Sequence, residues 1–329
     1  MAIYFSRLAA CGSYLPVRSV KNSELIQFPA AAIPLIAEKT GVRERRFAAP
    51  SEVTSDLGVR AAELCLSRAG VPAEEVEGII LATSSPDRSM PATATRVQHL
   101  LGARRAFAFD VNAVCSGAVF ALHLADGLIR AGLNDKILVV AAEIYSRILN
   151  PKDFSTYPYF GDGAGAVLLT RSTEVEGPQI MATVLGSDGA GADLIQVPAG
   201  GSMLPFGEGV NPLLRYFTMN GRAVFEFAAR KGAEVIQQTL QAAKIDKERI
   251  SHVVVHQANI NIVNRIADNS GIPRSKFFVN LDQFGNTAAA SVLIALDGLL
   301  AKGETRAGSL VLIVAFGGGL SWGCSLVRL

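Results

Sequence analysis

Two kinds of segment alternate along the chain. Short, nearly unbroken apolar runs stand at 78–83 (GIILAT), 106–111 (AFAFDV), 136–141 (KILVVA), 166–170 (AVLLT), 252–256 (HVVVH), 276–281 (KFFVNL) and 310–316 (LVLIVAF). Runs of this length without polar alternation predict strands buried on both faces. Between them, apolar residues recur at helical spacing over 54–69, 92–101, 116–131, 221–243, 259–270 and 287–302. The last three begin near Asn or Gly and end near Gly or a basic residue, as helices do. Strand and helix in alternation predict an α/β fold whose sheets are covered on both sides.

The pattern also repeats. FAFDVNAVCSGAVFALHLADGLIRAG matches FFVNLDQFGNTAAASVLIALDGLLAKG through the Asp-Gly-Leu at Asp126 and at Asp297. Counting back 11 residues from each Asp reaches Cys115 in one copy and Asn286 in the other. VEGIILA (76–82) precedes the first copy as ISHVVVH (250–256) precedes the second, and ILVVAAE (137–143) follows as LVLIVAF (310–316) does. Matched blocks in the same order predict two copies of one unit, an N-terminal half over 1–172 and a C-terminal half over 173–329. Each half ends in a Gly-rich turn and a strand, GDGAGAVLL and GGGLSWGCSLV. A Gly- and Pro-rich stretch, 187–219, interrupts the second half and reads as a binding loop or a surface decoration.

Composition narrows the function classes. The 329 residues carry 31 basic and 29 acidic side chains, a net charge of +2, with no Lys/Arg run of the kind that nucleic-acid binding requires. Four scattered cysteines, Cys11, Cys65, Cys115 and Cys324, form no Cys-x-x-Cys pair, so neither a metal site nor a disulfide framework is expected. The first residues do not have the pattern of a signal peptide, and the apolar runs are too short to span a bilayer. A soluble cytoplasmic enzyme without metal or cofactor, and without membrane insertion, is the expectation.

Three residues stand where chemistry is done. Cys115 lies between a strand and a helix, where the helix N-terminus favours thiolate over thiol; a small buried packing Cys is the alternative. His256 closes an all-valine strand, and polar groups at the carboxyl ends of strands in α/β sheets gather at sites; His252, His99 and His123 lack such a setting. Asn286 occupies the repeat-equivalent of Cys115, although a helix N-cap would also explain it. Gly317-Gly318-Gly319 follow a strand with amides free to bind an oxyanion, or form a plain turn. Gly161–Gly165 has no helix after it and does not read as a dinucleotide loop; Asp162 there reads as a turn former.

Together AVCSG, GDGAGAVLL, HQAN, FGNTAAAS and GGGLSWG, with the early SYLP and TGVRER, resemble the 3-oxoacyl-(acyl-carrier-protein) synthase III family over nearly the whole chain. The resemblance implies a five-layered αβαβα thiolase fold and a homodimer. It implies that Cys115 takes an acyl group from acyl-CoA or an acyl-carrier protein, while His256 and Asn286 promote decarboxylation of a malonyl thioester, malonyl-acyl carrier protein. The amides of Cys115 and Gly318 would hold the acyl oxygen. Where coenzyme-A-using members carry Trp and Arg around the nucleotide entrance, this chain has Leu35, Lys39, Phe154 and Asn261, which leaves the donor open between coenzyme A and a carrier protein. Met90 falls where the family closes the acyl pocket across the dimer, and a flexible Met there would admit a longer chain. Lys39, Met90, Phe154 and Phe316 are therefore candidate substrate contacts, and Arg147 reads as a structural salt bridge. Two competing functions are an acyltransferase that moves the acyl group to a hydroxyl or amine without decarboxylation, against which Asn286 speaks, and a non-catalytic partner subunit.

Overall fold

The computed structural model describes residues 3–329. Its first portion contains β1 (Phe5–Tyr14), β2 (Arg18–Lys21), α1 (Ile33–Thr40), β3 (Glu44–Phe47), α2 (Thr54–Ala69), β4 (Gly78–Ala82), α3 (Thr93–Leu101), β5 (Phe107–Val111), α4 (Gly117–Arg130), β6 (Lys136–Glu143) and β7 (Gly163–Ser172). Then follow β8 (Gln179–Ser187), β9 (Ile195–Gln196), β10 (Thr218–Met219), α5 (Gly221–Ala243), β11 (His252–Val255), α6 (Ile260–Ser270), β12 (Phe277–Phe278), α7 (Leu281–Phe284), α8 (Ser291–Ala301), β13 (Leu310–Gly317) and β14 (Ser321–Arg328).

Two five-stranded sheets have orders β1-β7-β6-β4-β5 and β8-β14-β13-β11-β12. Their hydrogen bonding also corresponds: β4, β5 and β6 run parallel, as do β11, β12 and β13, and the remaining pairings in each sheet are antiparallel. The matched sequence blocks fall on matching strands, 76–82 on β4 and 250–256 on β11, 137–143 on β6 and 310–316 on β13.

Side-chain alternation divides the core into layers. Ile137, Val139 and Ala141 of β6 face inward with residues of α4 and α8, while Leu138, Val140 and Ala142 face outward against α2. On the other sheet Val311, Ile313 and Ala315 of β13 face the same inner layer, and Leu312, Val314 and Phe316 face α5 and α6. The result is helix, sheet, helix pair, sheet, helix. Helix α8 (SVLIALDGLLA) is buried over most of its circumference, as a helix covered on both sides must be. The repeat's two Asp residues serve this layer alike: Asp126 accepts from Ser6 Oγ and Arg130, and Asp297 from Ser13 Oγ and Arg68. Both serines come from β1, so each carboxylate in the middle layer is neutralised by an Arg and tied to the same strand.

Several elements differ from expectation. Strands β1 (FSRLAACGSY) and β8 (QIMATVLGS), whose apolar residues are broken up by polar ones and glycine, and the short helix α1 were not anticipated. The expected strand at 276–281 shortens to Phe277–Phe278, because Leu281 already begins α7. Helix α8 starts at Ser291 rather than 287, after a single 3-10 turn at Ala288–Ala290.

Close approach of α2 to β1 depends on Gly12, where a Cβ would lie 2.5 Å from the Cys65 nitrogen and 2.6 Å from the Ala61 carbonyl. Backbone atoms cannot move aside as a side-chain tip can. Gly12→Ala is expected to cost about 1–3 kcal/mol, read as a lower urea midpoint with an unchanged slope; an unaltered midpoint would contradict the close packing.

Candidate functional site

The site is assembled from loops that follow the carboxyl ends of the parallel strands. β5 leads to Cys115, β11 to His256, β12 through α7 to Asn286, and β13 to Phe316 and Gly317. Cys115, His256, Asn286, Phe316 and Gly317 line one small cavity of about 30 Å³, together with Phe160, Ile195, Phe217, Met219, Val224, Phe227 and Ala258. The sulfur, imidazole and carboxamide residues are 6%, 2% and 6% exposed.

Cys115 sits in a 3-10 turn (Val114–Ser116) that runs directly into α4. The residue before it, Val114, has φ 47°, a left-handed conformation that a β-branched residue adopts only when its surroundings enforce it. The turn packs closely on Gly317, where a Cβ would stand 2.7 Å from the Cys115 nitrogen. Ser116 Oγ is fixed to Ser321 Oγ at 2.7 Å, which clamps the Cys turn to the β13–β14 hairpin. Asn286 is positioned from the opposite side. Its N–H donates to the Tyr159 carbonyl at 2.8 Å and its carbonyl accepts from Gly161 at 3.0 Å. Its Oδ1 accepts from the Ala288 N–H at 2.9 Å, a local turn contact, whereas the N-cap position of the following 3-10 turn is held by Thr287. Asn286 precedes the 3-10 turn and does not itself begin a helix. Ala288, at φ 46°, is a second left-handed non-glycine residue at this mirrored helix start.

His256 is held by its N–H on the Val314 carbonyl at 2.8 Å and by Nδ1 on Ser291 Oγ at 2.6 Å, with Phe316 edge-on to its ring at 5.3 Å. Only Nε2 is left without a partner from these contacts. Burial drops its pKa to about 3, so the imidazole is neutral at neutral pH. The Cys115 thiol is pushed up, first by burial and then by the negative charge of Glu143. The expected pull of the helix N-terminus toward thiolate is thus opposed, and the resting group is the thiol. The other cysteines pack in separate cores, Cys11 beside the middle layer, Cys65 behind the first sheet and Cys324 behind the second.

Glu143 was not anticipated, although it closes an apolar strand just as His256 does, and that signal would have found it. It is fully buried and accepts from the Ser84 N–H at 3.1 Å, the Ser85 N–H at 3.0 Å, Ser84 Oγ at 3.0 Å and Thr83 Oγ1 at 3.3 Å, and from Ser85 Oγ. Burial outweighs these donors and lifts its pKa to about 7. Ser291 was also missed, since a Ser among alanines at a helix start carries no periodic signal. Phe160, Ile195, Phe217 and Met219 escaped because their neighbours in sequence are loops; three of them come from the 187–219 stretch, which therefore forms part of the cavity lining.

Of the candidate substrate contacts, Phe316 lines the cavity, whereas Lys39, Met90 and Phe154 do not. Met90 is 79% exposed, and Phe154 packs on Phe28 at 5.2 Å in a side cluster. The Lys39 carbonyl accepts from Asn261 Nδ2 at 2.7 Å, which brings together two residues expected around the entrance. Gly318 lies at the β13–β14 turn, where a Cβ would meet Val114 and Ile195. Among the described residues Arg147 has no salt-bridge partner. Its guanidinium donates to the carbonyls of Ala49, Pro50 and Glu52, which gather at a turn and so present several acceptors to one cation. Asp162 does more than form a turn: buried, it accepts from Ala48 N–H, Ser146 N–H and Ser146 Oγ and joins three segments.

Among the described residues there is no cluster of His, Cys, Asp or Glu suited to a metal ion, and no helix is long and apolar enough to cross a membrane.

Residues 109–189 match the family described as 3-oxoacyl-[acyl-carrier-protein (ACP)] synthase III, and residues 240–329 match its C-terminal region. A relative from Streptomyces coelicolor, beta-ketoacyl-[acyl-carrier-protein] synthase III 3, is 44% identical over 97% of this chain and 96% of its own length. The beta-ketoacyl-[acyl-carrier-protein] synthase III of Roseiflexus castenholzii is 41% identical over 98% of each chain. The crystal structure of 3-oxoacyl-[acyl-carrier-protein] synthase III from Aquifex aeolicus superposes with a TM-score of 0.90 at 37% identity, covering 98% of this chain and 100% of that one. Agreement of this extent in sequence and in backbone means that the chain belongs to the 3-oxoacyl-[acyl-carrier-protein] synthase III family and has its thiolase fold.

Proposed function

We propose that this chain joins an acyl primer to a malonyl thioester carried on acyl-carrier protein, with loss of CO2, and that Cys115, His256 and Asn286 carry the reaction. The observation that supports this most is that a nucleophile and two hydrogen-bond donors from distant parts of the chain line one small, buried, mainly apolar cavity. The sulfur of Cys115 attacks the primer thioester; a new S–C bond forms as the donor's breaks, and the donor leaves as a thiol. The backbone amide of Cys115, with that of Gly318, would hold the oxygen that becomes negative.

Decarboxylation then places negative charge on the malonyl thioester oxygen. In the tautomer this reading requires, Ser291 Oγ donates to Nδ1 and the His256 proton rests on Nε2, so a neutral imidazole and the Asn286 amide can both donate to that oxygen. A neutral donor is preferable here because an imidazolium would protonate the carbanion before it reached the acyl group. The carbanion attacks the acyl-Cys115 carbonyl, the S–C bond to the enzyme breaks, and the 3-oxoacyl thioester leaves with Cys115 regenerated.

The homodimer belongs to the same reading. β5 is the outer strand of its sheet, and Phe107 and Phe109, stacked at 6.0 Å, are 38% and 37% exposed beside Leu124. An open strand edge with an apolar patch is suited to a second copy of the chain. The cytoplasm, where malonyl-carrier protein is made, is the proposed location.

Asn286→Ala is expected to leave acylation of Cys115 intact while CO2 release falls about 100- to 1,000-fold; intact mass and radiolabelled CO2 measure the two separately, and equal loss of both would contradict the assigned role. Because His256 has a pKa of about 3, its protonation lies below the working range. Measured on enzyme already acylated at Cys115, where thiol ionisation no longer enters, CO2 release should therefore show no fall on the acid side centred near pH 6.5, and such a fall would mean that an ordinary, titrating imidazole does the work.

A further inference from the structure

Strand β3 (ERRF) buries alternate residues, as a strand with one covered face does. Arg45 and Phe47 turn inward, while Glu44 and Arg46 are half-buried. Phe47 is an ordinary core residue, edge-on to Tyr157 at 5.6 Å. Arg45 is not: it is 0% exposed, and although burial lowers its pKa to about 10, it stays charged at neutral pH. A charge taken out of water is costly unless hydrogen bonds compensate, and an apolar side chain would fill the same space. Three oxygens satisfy the guanidinium. One terminal nitrogen donates to the Val20 carbonyl at 2.9 Å, the other to Asn22 Oδ1 at 2.6 Å and to the Pro158 carbonyl.

The first two partners hold the guanidinium to the β2–β3 hairpin. Asn22 is itself fixed there, its N–H on the Arg43 carbonyl at 3.0 Å and its Nδ2 on the Val42 carbonyl at 2.8 Å. The third partner leads to the site. Pro158 stands just before Tyr159, Phe160 and Gly161, the segment that brackets Asn286: the Tyr159 carbonyl accepts the Asn286 N–H, and the Gly161 N–H donates to the Asn286 carbonyl. Phe160 and Asn286 form a parallel bridge between the two segments. The Arg45 stem meets both. A Cβ on Gly161 would stand 3.2 Å from Arg45 Cβ, and one on Gly285, the residue before Asn286, 3.3 Å from it. The same two glycines let the segments approach, since their Cβ atoms would lie 2.2 Å from the Phe284 carbonyl and 2.8 Å from the Tyr159 carbonyl. Asn286 Oδ1 is already engaged by the Ala288 N–H, so the aim of its Nδ2 follows from where these segments put its backbone.

We propose that Arg45 is a positioning residue for Asn286: by holding the Pro158 carbonyl and packing its stem on Gly161 and Gly285, it fixes the pair of segments that aims the carboxamide at the decarboxylating thioester. This rests on the donor role of Asn286 given above. Arg45 does not line the cavity, so its loss acts on the step that uses Asn286 and not on the attack of Cys115 on the primer.

The experiment follows the two half-reactions separately in the full chain: mass gain on the intact protein with acetyl thioesters of coenzyme A and N-acetylcysteamine, and radiolabelled CO2 from malonyl-acyl carrier protein on enzyme already acylated. Arg45→Met keeps the bulk and removes the donors. It should lower CO2 release by about tenfold or more, within the roughly 100-fold that a misplacement of about 1 Å costs, while the rate of acylation is kept. Arg45→Lys, which keeps the charge and a donor, should show the same split with a smaller fall. In an Asn286→Ala background either substitution should lower CO2 release no further, because residues that act through one group are not additive. Should Arg45→Met fail to fold, Arg45→Lys carries both comparisons. A further fall in the double variant, equal loss of both half-reactions, or unchanged CO2 release in folded variants would overturn the proposal. An acylated wild type whose CO2 release is untouched by Asn286→Ala would instead overturn the donor role of Asn286, and the proposal with it.

Discussion

Helices α4 and α8 lie side by side in a dry layer with a β-sheet on either face. Helix α8 is buried over most of its circumference, and α4 is buried along the face it turns to the layer, leaving His123, Leu124 and Gly127 exposed; within the layer both are mainly Ala, Val, Leu and Ile apart from the clusters at Asp126 and Asp297. Their starts must therefore lie where the layer ends, and the matching order of the two sheets sends both starts to the carboxyl ends of the parallel strands. Cys115 and Asn286 are the residues that occupy those two ends, and His256 arrives from the neighbouring strand. The three side chains meet where the two helices of the middle layer begin.

The same burial sets the chemistry. It raises the Cys115 thiol, lowers His256 and lifts Glu143 to about 7, all by penalising charge. A neutral imidazole suits a donor to an enolate. A protonated thiol suits a resting enzyme that must not react with stray electrophiles, at the cost of requiring proton loss when the primer arrives. Glu143 is the one of the three nearest to changing its charge at neutral pH, and its negative charge opposes thiolate formation at Cys115.

Much of this was legible in the sequence because the repeat carried it. Unbroken apolar strands and the paired Asp-Gly-Leu fixed the register that makes Cys115 and Asn286 equivalent, and a His at the end of a valine run was conspicuous. What was not legible lies in three-dimensional contact. Strands such as β1 and β8, in which polar residues and glycine interrupt the apolar ones, resemble loops when read for apolar continuity. The cavity lining from Ile195, Phe217 and Met219 comes from a Gly- and Pro-rich stretch with no period. Ser291 acts through a single hydrogen bond to a residue 35 positions away. Glu143 could have been found, since it ends its strand as His256 does, but an acidic residue at a strand end is also the ordinary start of a turn.

The central claim is that, among four buried cysteines, the one at the start of α4 is the nucleophile. Peptide mapping by mass spectrometry after brief exposure to an acyl thioester tests it most directly. The account predicts that the acyl group is found on the peptide containing Cys115 and not on those containing Cys11, Cys65 or Cys324; an acyl group on any of those three, with Cys115 unmodified, would contradict it.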